Sequence, residues 1–170
     1  VADANTVRKI VRLAEIDAND IVVEIGAGLG SLTLAIAETG AQIKAVEIDR
    51  YVLPVLRDVT AYNDKIEIIE GDALKVDWNS IVPPTSNAVV IANLPYNVGT
   101  HIVTHLLDNV PQITRMLVMV QKEVAQRLAA KVGDDAYGAL SVKIRYHADA
   151  KLVGVVPPTV FVPQPDVDSA

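Results

Sequence analysis

Four consecutive residues, Asn93-Leu94-Pro95-Tyr96, form the segment of this sequence that best suits chemistry on an amino group. They follow Ala88–Ala92, an apolar run typical of a buried strand. Pro95 stiffens the loop and has no N–H, so the Asn93 side-chain oxygen and the Leu94 carbonyl can both accept hydrogen bonds from one –NH₂ group. Tyr96 offers a flat face on which a base can stack. A plain turn carrying a half-buried tyrosine is the less favoured alternative.

A glycine-rich loop follows the first predicted strand, Ile21–Ile25, and has the sequence EIGAGLG at positions 24–30. Glycine lets the backbone turn sharply and lets a ligand approach closely, and the helix that follows offers free N–H groups in its first turn. A dinucleotide-binding GxGxxG motif would need a third glycine at position 31, where this chain has Ser31. Taken alone, the loop is also compatible with an ordinary strand–turn–helix connection.

Two carboxylates come at the ends of the next two predicted strands. Glu47 lies 21 residues after Gly26, near the end of strand Ile43–Ile48, where a carboxylate can accept hydrogen bonds from both hydroxyls of a ribose. Asp72 comes just after strand Ile66–Glu70 and can accept a hydrogen bond from an exocyclic amine. Each carboxylate alone is also compatible with a solvated side chain or a common turn.

Strands and helices alternate along the chain, which predicts an α/β fold with a mostly parallel sheet and helices on both faces. Besides the four strands above, we predict strands at Met116–Val120 and Leu152–Val156, a helix at Lys122–Lys131, and a first helix capped by Asn5 or Thr6. The stretch Tyr137–Ala148 alternates as a strand would, but also suits a helix. Ligands of such sheets bind at the carboxyl ends of the strands, near a topological switch point, so the segments described above should share one site.

The composition is that of a globular domain rather than a polycation or a membrane protein. The chain has 170 residues, 51% hydrophobic residues, no cysteine and a formal net charge of −6. This favours one domain and excludes disulfides, cysteine-based zinc sites and thiol catalysis. We expect an intracellular, cytoplasmic protein without a membrane span or signal peptide. Residues 121–151 are the one basic segment, with six basic and four acidic side chains.

His101 and His105 stand four residues apart on a predicted helix, at the spacing of zinc ligands. No glutamate lies between them, and neither a cysteine nor a third clustered ligand accompanies them. We therefore expect ordinary helix histidines and no metal.

Seven segments, taken together, identify a family. They are VVEIGAGLGSLT at 22–33, VEIDR at 46–50, GDAL at 71–74, NLPYNVGT at 93–100, MVQKEVAQRL at 119–128, AYGALSV at 136–142 and VPPTVFVPQPDVDSA at 156–170. With these segments in this order, the chain resembles the ribosomal RNA adenine N6-dimethyltransferases of the KsgA type, which are class I S-adenosylmethionine (AdoMet) enzymes with a Rossmann-like fold. The combination of NLPY, QKEV, YGxLSV and FxPxPxVDS is far more specific than a glycine loop.

The resemblance implies a role for each matching residue, with AdoMet as the cofactor. The glycine loop would line the methionine moiety, Glu47 would hold the ribose, and Asp72 with Ala73 would hold the adenine. The implied cofactor-binding set is Glu24, Gly26, Ala27, Gly28, Gly30, Glu47, Ile48, Asp72, Ala73 and Asn93. The implied catalytic set is Asn93, Leu94, Pro95, Tyr96 and Phe161, of which Phe161 would close on the other face of the target base.

The resemblance also implies a reaction and a partner. Methyl groups would pass from AdoMet to N6 of two adjacent adenosines in the 3′-terminal hairpin loop of small-subunit rRNA, giving N6,N6-dimethyladenosine during ribosome biogenesis. The expected partner is rRNA within a small ribosomal subunit or its precursor, and the enzyme is expected to be a monomer that uses no metal. Residues 1–170 are expected to form the catalytic domain, without the family's N-terminal segment and C-terminal helical domain, and residues 137–148 to form a helix.

Four basic residues are candidates for contacts to RNA phosphates: Lys122, Arg127, Lys131 and Arg145. For any single one of them, a solvated helix surface is the better explanation.

Three other functions stay open at this point. A resistance-type adenine N6-methyltransferase acting on large-subunit rRNA is a close relative, although QKEV and YGxLSV favour the small-subunit type. A ribosome-assembly or transcription partner of the same fold would not need catalysis, although an intact Asn93–Tyr96 segment argues against lost chemistry. A nicotinamide-dependent dehydrogenase is disfavoured by Ser31 and by the NLPY segment.

Overall fold

The structure is a computed structural model that describes residues 3–170, and its centre is a five-stranded parallel sheet. The strands are β1 (Ile21–Ile25), β2 (Gln42–Glu47), β3 (Ile66–Glu70), β4 (Ala88–Asn93) and β5 (Ile113–Met119), in the spatial order β3-β2-β1-β4-β5. The helices are α1 (Ala4–Ala14), α2 (Ser31–Ala37), α3 (Leu53–Thr60), α4 (Trp78–Ile81), α5 (Gly99–Asn109), α6 (Lys122–Ala129) and α7 (Ala139–His147). The predicted parallel α/β fold is confirmed.

Each face of the sheet has its own hydrophobic core. In β1, Val23 and Ile25 belong to one core and Val22 to the other, because successive side chains of a strand face opposite sides. Helices α4 to α7 complete the first core, and helices α1 to α3 complete the second. Burial on both faces explains why the strands are nearly continuous runs of Val and Ile. No helix within residues 3–170 has the length and apolar character needed to cross a bilayer.

The strand register brings the ends of four strands to one rim of the sheet. Ile25 pairs with Val46 of β2 and with Ala92 of β4, and Glu47 pairs with Glu70 of β3. The strand order reverses between β1 and β4, so the loops that follow these two strands flank the topological switch point. The four predicted ligand-binding segments therefore begin at the same level of the sheet.

Two local features near the ends of the chain refine the sequence prediction. Helix α1 is capped by Asp3, whose carboxylate accepts hydrogen bonds from the N–H (2.6 Å) and the hydroxyl (2.7 Å) of Thr6. The predicted cap at Asn5 or Thr6 is wrong, because both residues already lie within the helix and Thr6 is the donor. The ambiguous stretch 137–148 is helical: α7 buries Ser141 and Ile144, which lie three residues apart on one face.

The predicted strand Leu152–Val156 is wrong. Within this stretch only Val156 makes a ladder contact, an isolated antiparallel bridge to Ser169. The stretch instead lies near α1, where Lys9 Nζ is 3.5 Å from the position a Cβ on Gly154 would occupy. Alternating apolar residues make a strand only where a sheet edge pairs with them, and here the stretch does not join the sheet.

Candidate active site

Gly26 joins the two loops that flank the switch point. Its N–H donates to the carbonyl of Val46 at 2.9 Å, and its φ of +77° lies in the left-handed region that other residues rarely adopt. A Cβ at this position would lie 3.3 Å from the carbonyl oxygen of Asn93. The glycine loop and the predicted catalytic loop, Asn93–Tyr96, are therefore in close backbone contact.

Glu47 is held by the backbone of two loops. Its side chain is buried, and its two carboxylate oxygens accept hydrogen bonds from the N–H groups of Gly28 and Asp49, both at 2.8 Å. Each oxygen keeps a second acceptor position, so Glu47 is oriented in advance and can still accept from ribose hydroxyls. At Gly28, φ is +56° and a Cβ would meet no atom within 4 Å, so open space adjoins the loop beside this carboxylate.

Glu24 is a buried carboxyl group in β1. It is 1% exposed, and its Oε2 lacks a hydrogen-bond partner among the described residues. Thr33, in the first turn of α2, is also buried, with a hydroxyl that lacks a partner there. Burial raises the pKa of Glu24 to about 7, against the lowering effect of the Thr33 hydroxyl and with a further increase from the charge of Glu47. Glu24 therefore keeps its proton to near neutral pH.

The loop after β3 contains the residues predicted to hold adenine. Asp72 Oδ1 accepts a hydrogen bond from the N–H of Leu74 at 2.9 Å, which folds the loop back on itself. Ala73 is buried, and its carbonyl accepts from the indole N–H of Trp78 at 3.1 Å. On the neighbouring loop Ile48 is 66% exposed. The rim thus offers a fixed carboxylate and an accessible apolar side chain, both of which suit a purine base.

The backbone of the catalytic loop is fixed at both ends. Leu94 is buried, and its N–H donates to the carbonyl of Met119 at 3.0 Å. The carbonyl of Pro95 accepts from the N–H of Gly99 at 2.9 Å, where α5 begins. Asn93 is half-buried, and its amide takes part in none of the side-chain hydrogen bonds found among residues 3–170. Its side-chain oxygen is therefore available to a substrate amino group.

Tyr96 contacts Ser169 directly, and Phe161 lies in the loop that ends at Ser169. The Tyr96 hydroxyl is 2.8 Å from Oγ of Ser169, which is fully buried. Phe161 is half-buried and follows a short 3₁₀ helix, Pro158–Val160. The loop that contains Phe161 runs from Val156 to Ser169, and the backbones of these two residues exchange hydrogen bonds of 2.8 and 2.9 Å. Ser169 therefore contacts one predicted stacking residue and closes the loop that contains the other.

The four predicted RNA contacts differ in their surroundings. Lys122 forms an ion pair with Asp168 at 3.3 Å, and Arg145 lies 3.9 Å from an exposed carboxylate. Arg127 and Lys131 are exposed and form no ion pair with another described residue. These two side chains are the most available to a phosphate, and their role stays a prediction.

No group of three or more His, Cys, Asp or Glu side chains within residues 3–170 is arranged to hold a metal ion. His101 is exposed and His105 is half-buried on α5. The ring of His105 lies beside the side chain of Asn109, with Nδ1 and Nδ2 3.3 Å apart.

Comparison with known proteins agrees with the motifs and with the fold. The family model described as ribosomal RNA adenine dimethylase matches residues 1–170. The chain belongs to the ribosomal RNA adenine dimethylase family. One curated relative in this family, the ribosomal RNA small subunit methyltransferase A of Cutibacterium acnes, is 46% identical over 99% of this chain and 57% of its own length.

Two solved structures extend the likeness to three dimensions. A dimethyladenosine transferase from Plasmodium falciparum is 30% identical with a TM-score of 0.86, covering 99% of this chain and 60% of its own. A 23S rRNA methyltransferase, ErmE, is 28% identical with a TM-score of 0.86, covering 99% of this chain and 66% of its own. The chain spans 57–59% of the length of the first curated relatives of the family.

Two residues at the rim were not singled out by sequence reasoning, namely Thr33 and Ser169. The Thr33 hydroxyl lowers the pKa of Glu24, and the Ser169 hydroxyl contacts that of Tyr96. Both lie within family segments, GLGSLT and VDSA. Their place in these family segments was the one signal available from the sequence. It does not indicate which side chain Thr33 or Ser169 would meet in the fold.

Proposed function

We propose that this member of the family transfers methyl groups from AdoMet to N6 of two adjacent adenosines in the 3′-terminal hairpin loop of small-subunit rRNA, giving N6,N6-dimethyladenosine during ribosome biogenesis. Residues 1–170 are its catalytic domain. One observation carries the proposal: the glycine loop meets the catalytic loop, with the Cβ position of Gly26 3.3 Å from the Asn93 carbonyl oxygen. A cofactor lying along the first loop and an amino group bound by the second are then neighbours.

The residues of the rim fit AdoMet. The open space at Gly28 admits a ligand close to the backbone, and Glu47 would accept hydrogen bonds from the ribose hydroxyls. Ile48 and Asp72 would hold the adenine. The buried Oε2 of Glu24, which has no hydrogen-bond partner among the described residues, could gain one when the site is filled. When bound, AdoMet supplies an electrophilic methyl group on a sulfonium sulfur.

The catalytic loop acts on the adenine amino group. This nitrogen is a weak nucleophile because its lone pair is delocalised into the ring. The side-chain oxygen of Asn93 and the carbonyl of Leu94 accept its two N–H bonds and favour a tetrahedral nitrogen as the reaction proceeds. The proton is strongly acidic only once the new N–C bond has formed, so no strong base is needed. Holding the amino group in line with the methyl group supplies much of the remaining rate.

The two aromatic residues hold the base outside its stack. Extruding a base from RNA costs a few kcal/mol, and stacking on an aromatic ring returns about 1–3 kcal/mol for each base. Tyr96 provides one face and Phe161 the other. The face of the Tyr96 ring also stabilises positive charge on N6 by up to about 2 kcal/mol when the site excludes water.

The small subunit is the favoured substrate. Curated relatives named ribosomal RNA small subunit methyltransferase A are 42–46% identical to this chain, whereas the large-subunit enzyme ErmE is 28% identical. The shared TM-score of 0.86 means that the fold by itself does not separate the two substrates. The QKEV and YGxLSV segments also favour the small-subunit type.

The test is to incubate the protein with labelled AdoMet and with ribosomal subunits that lack the modification. We expect label in small-subunit RNA, recovered as N6,N6-dimethyladenosine at two adjacent positions by nucleoside mass spectrometry. Label in large-subunit RNA would support the resistance-type alternative. Binding to small subunits without any methyl transfer would overturn the enzymatic proposal in favour of an assembly partner.

A further inference from the structure

We propose that Ser169 is a positioning residue for methyl transfer, and that its hydroxyl fixes the Tyr96 ring in the orientation in which the ring stacks on the target base. This inference rests on the proposed function, because it assigns how one part of that site is held. It starts from the 2.8 Å contact between Ser169 Oγ and the Tyr96 hydroxyl, two residues 73 positions apart in the chain.

The Ser169 hydroxyl is a fixed point in the structure. The residue is fully buried. Its N–H and carbonyl both bond to Val156, at 2.9 and 2.8 Å, and the next residue, Ala170, exchanges two hydrogen bonds of 2.9 Å with Val120. The preceding carbonyl, at Asp168, accepts from the N–H of Lys122 at 3.0 Å. Hydrogen bonds on three consecutive residues leave the Ser169 backbone little freedom to move.

The contact restrains the far end of the Tyr96 side chain. The near end is already fixed. Pro95 restricts the backbone before Tyr96, and the Pro95 carbonyl accepts a hydrogen bond from the N–H of Gly99, the first residue of α5. With the hydroxyl held as well, the half-buried ring has one orientation before a base arrives. A side chain that is ordered in advance costs less conformational entropy when it binds. The contact should therefore affect the transfer step more than the binding of AdoMet, because most of the implied cofactor-binding residues lie at the ends of β1, β2 and β3.

The backbone of the same residue closes the loop that contains Phe161. The Val156–Ser169 bridge closes the loop formed by residues 157–168, which contains Phe161. A single residue thus fixes one aromatic ring through its side chain and closes the loop of the other through its backbone. Removing the hydroxyl should release Tyr96 and leave the loop closed, because the backbone bridge does not depend on the side chain.

The test is a double-mutant cycle of Ser169→Ala and Tyr96→Phe, measured as single-turnover methyl transfer to small subunits at saturating AdoMet. Each variant removes the same hydrogen bond, so we expect each to slow transfer about five- to tenfold, and the double variant to be no slower than either. AdoMet affinity by calorimetry should not change. Effects that multiply in the double variant, or a wild-type rate for Tyr96→Phe alone, would overturn the proposal. The second outcome can be read even if Ser169→Ala folds poorly.

Ser141 provides a matched control for the loss of a buried hydroxyl. It is as fully buried as Ser169, and its Oγ donates to the carbonyl of Arg127 at 2.6 Å, away from the catalytic loop. Ser141→Ala should lower the melting temperature to a similar extent and leave the transfer rate unchanged. An equal loss of rate in Ser141→Ala would show that the effect of Ser169→Ala is general destabilisation.

A second measurement separates the failure of this inference from the failure of the proposed function. In protein labelled with ¹³C-tyrosine, the ring signals of Tyr96 are identified by their loss in Tyr96→Phe. We expect them to shift and broaden in Ser169→Ala and to stay unchanged in Ser141→Ala. Unchanged Tyr96 signals in Ser169→Ala would overturn the positioning role, whatever activity the wild-type protein has.

Discussion

Replacing Glu24 with glutamine should change how the stability of the protein depends on pH. Burial raises the pKa of Glu24 from 4.5 to about 7 in the folded protein, whereas in the unfolded chain the carboxyl group keeps its ordinary value. Between these values the folded protein binds one more proton than the unfolded chain, so the free energy of unfolding falls as the pH rises. At 1.36 kcal/mol per pH unit this contribution is about 3 kcal/mol, present in full below pH 4.5 and lost as the pH passes about 7.

Urea unfolding between about pH 5 and about pH 8 measures this contribution. Trp78 is the single tryptophan and is buried, so its fluorescence reports unfolding. Glu24→Gln keeps the shape of the side chain but cannot ionise, so over this range its unfolding free energy should fall by roughly 2–3 kcal/mol less than that of the wild type. Glu38→Gln, at an exposed position, should follow the wild type. Parallel pH curves for Glu24→Gln and the wild type would refute the reasoning.

Three further predictions concern the cofactor and RNA surfaces. Glu47→Gln should weaken AdoMet binding at least tenfold in calorimetry, since it removes a charged acceptor. The control Glu67→Gln, on the exposed side of β3, should bind AdoMet as the wild type does. Equal AdoMet affinities of Glu47→Gln and the wild type would contradict the ribose role. Gly26→Ala should lower the melting temperature and AdoMet affinity together, because the φ of +77° strains a side chain and the new Cβ would lie 3.3 Å from a backbone oxygen. Arg127→Ala should weaken RNA binding and reduce the slope of log K against log salt by about 1, and an unchanged slope would make it a solvated surface residue.

The parallel sheet and the position of its ligand rim could be predicted from sequence. Strands buried on both faces must be continuous apolar runs, and the bounds of Ile21–Ile25 and Ile66–Glu70 agree with β1 and β3. The carboxyl ends of parallel strands share one edge of the sheet, so Glu47 and Asn93 could be assigned to one site without coordinates. These predictions succeed because each strand is recognisable from a short local run, and the rule for parallel sheets then places the strand ends together.

The remaining features are not decided by local sequence patterns. Asp3, Asn5 and Thr6 are all able to cap a helix, and their sequence does not say which of them precedes the first turn. Leu152–Val156 alternates like a strand, but strand formation needs a paired edge that the segment itself does not encode. The hydrogen bond between Tyr96 and Ser169 joins two motifs 73 residues apart, and only the fold brings them together.

The central claim, that the catalytic loop methylates an adenine amino group beside a separately bound cofactor, is tested most directly by Asn93→Ala. Asn87→Ala is the matched control, because Asn87 is exposed and immediately precedes the opposite end of the same strand. AdoMet binding by calorimetry and N6,N6-dimethyladenosine formation on small subunits are measured in parallel. Asn93→Ala should bind AdoMet and form almost no product, while Asn87→Ala should match the wild type in both measurements. Wild-type product formation by Asn93→Ala would contradict the account.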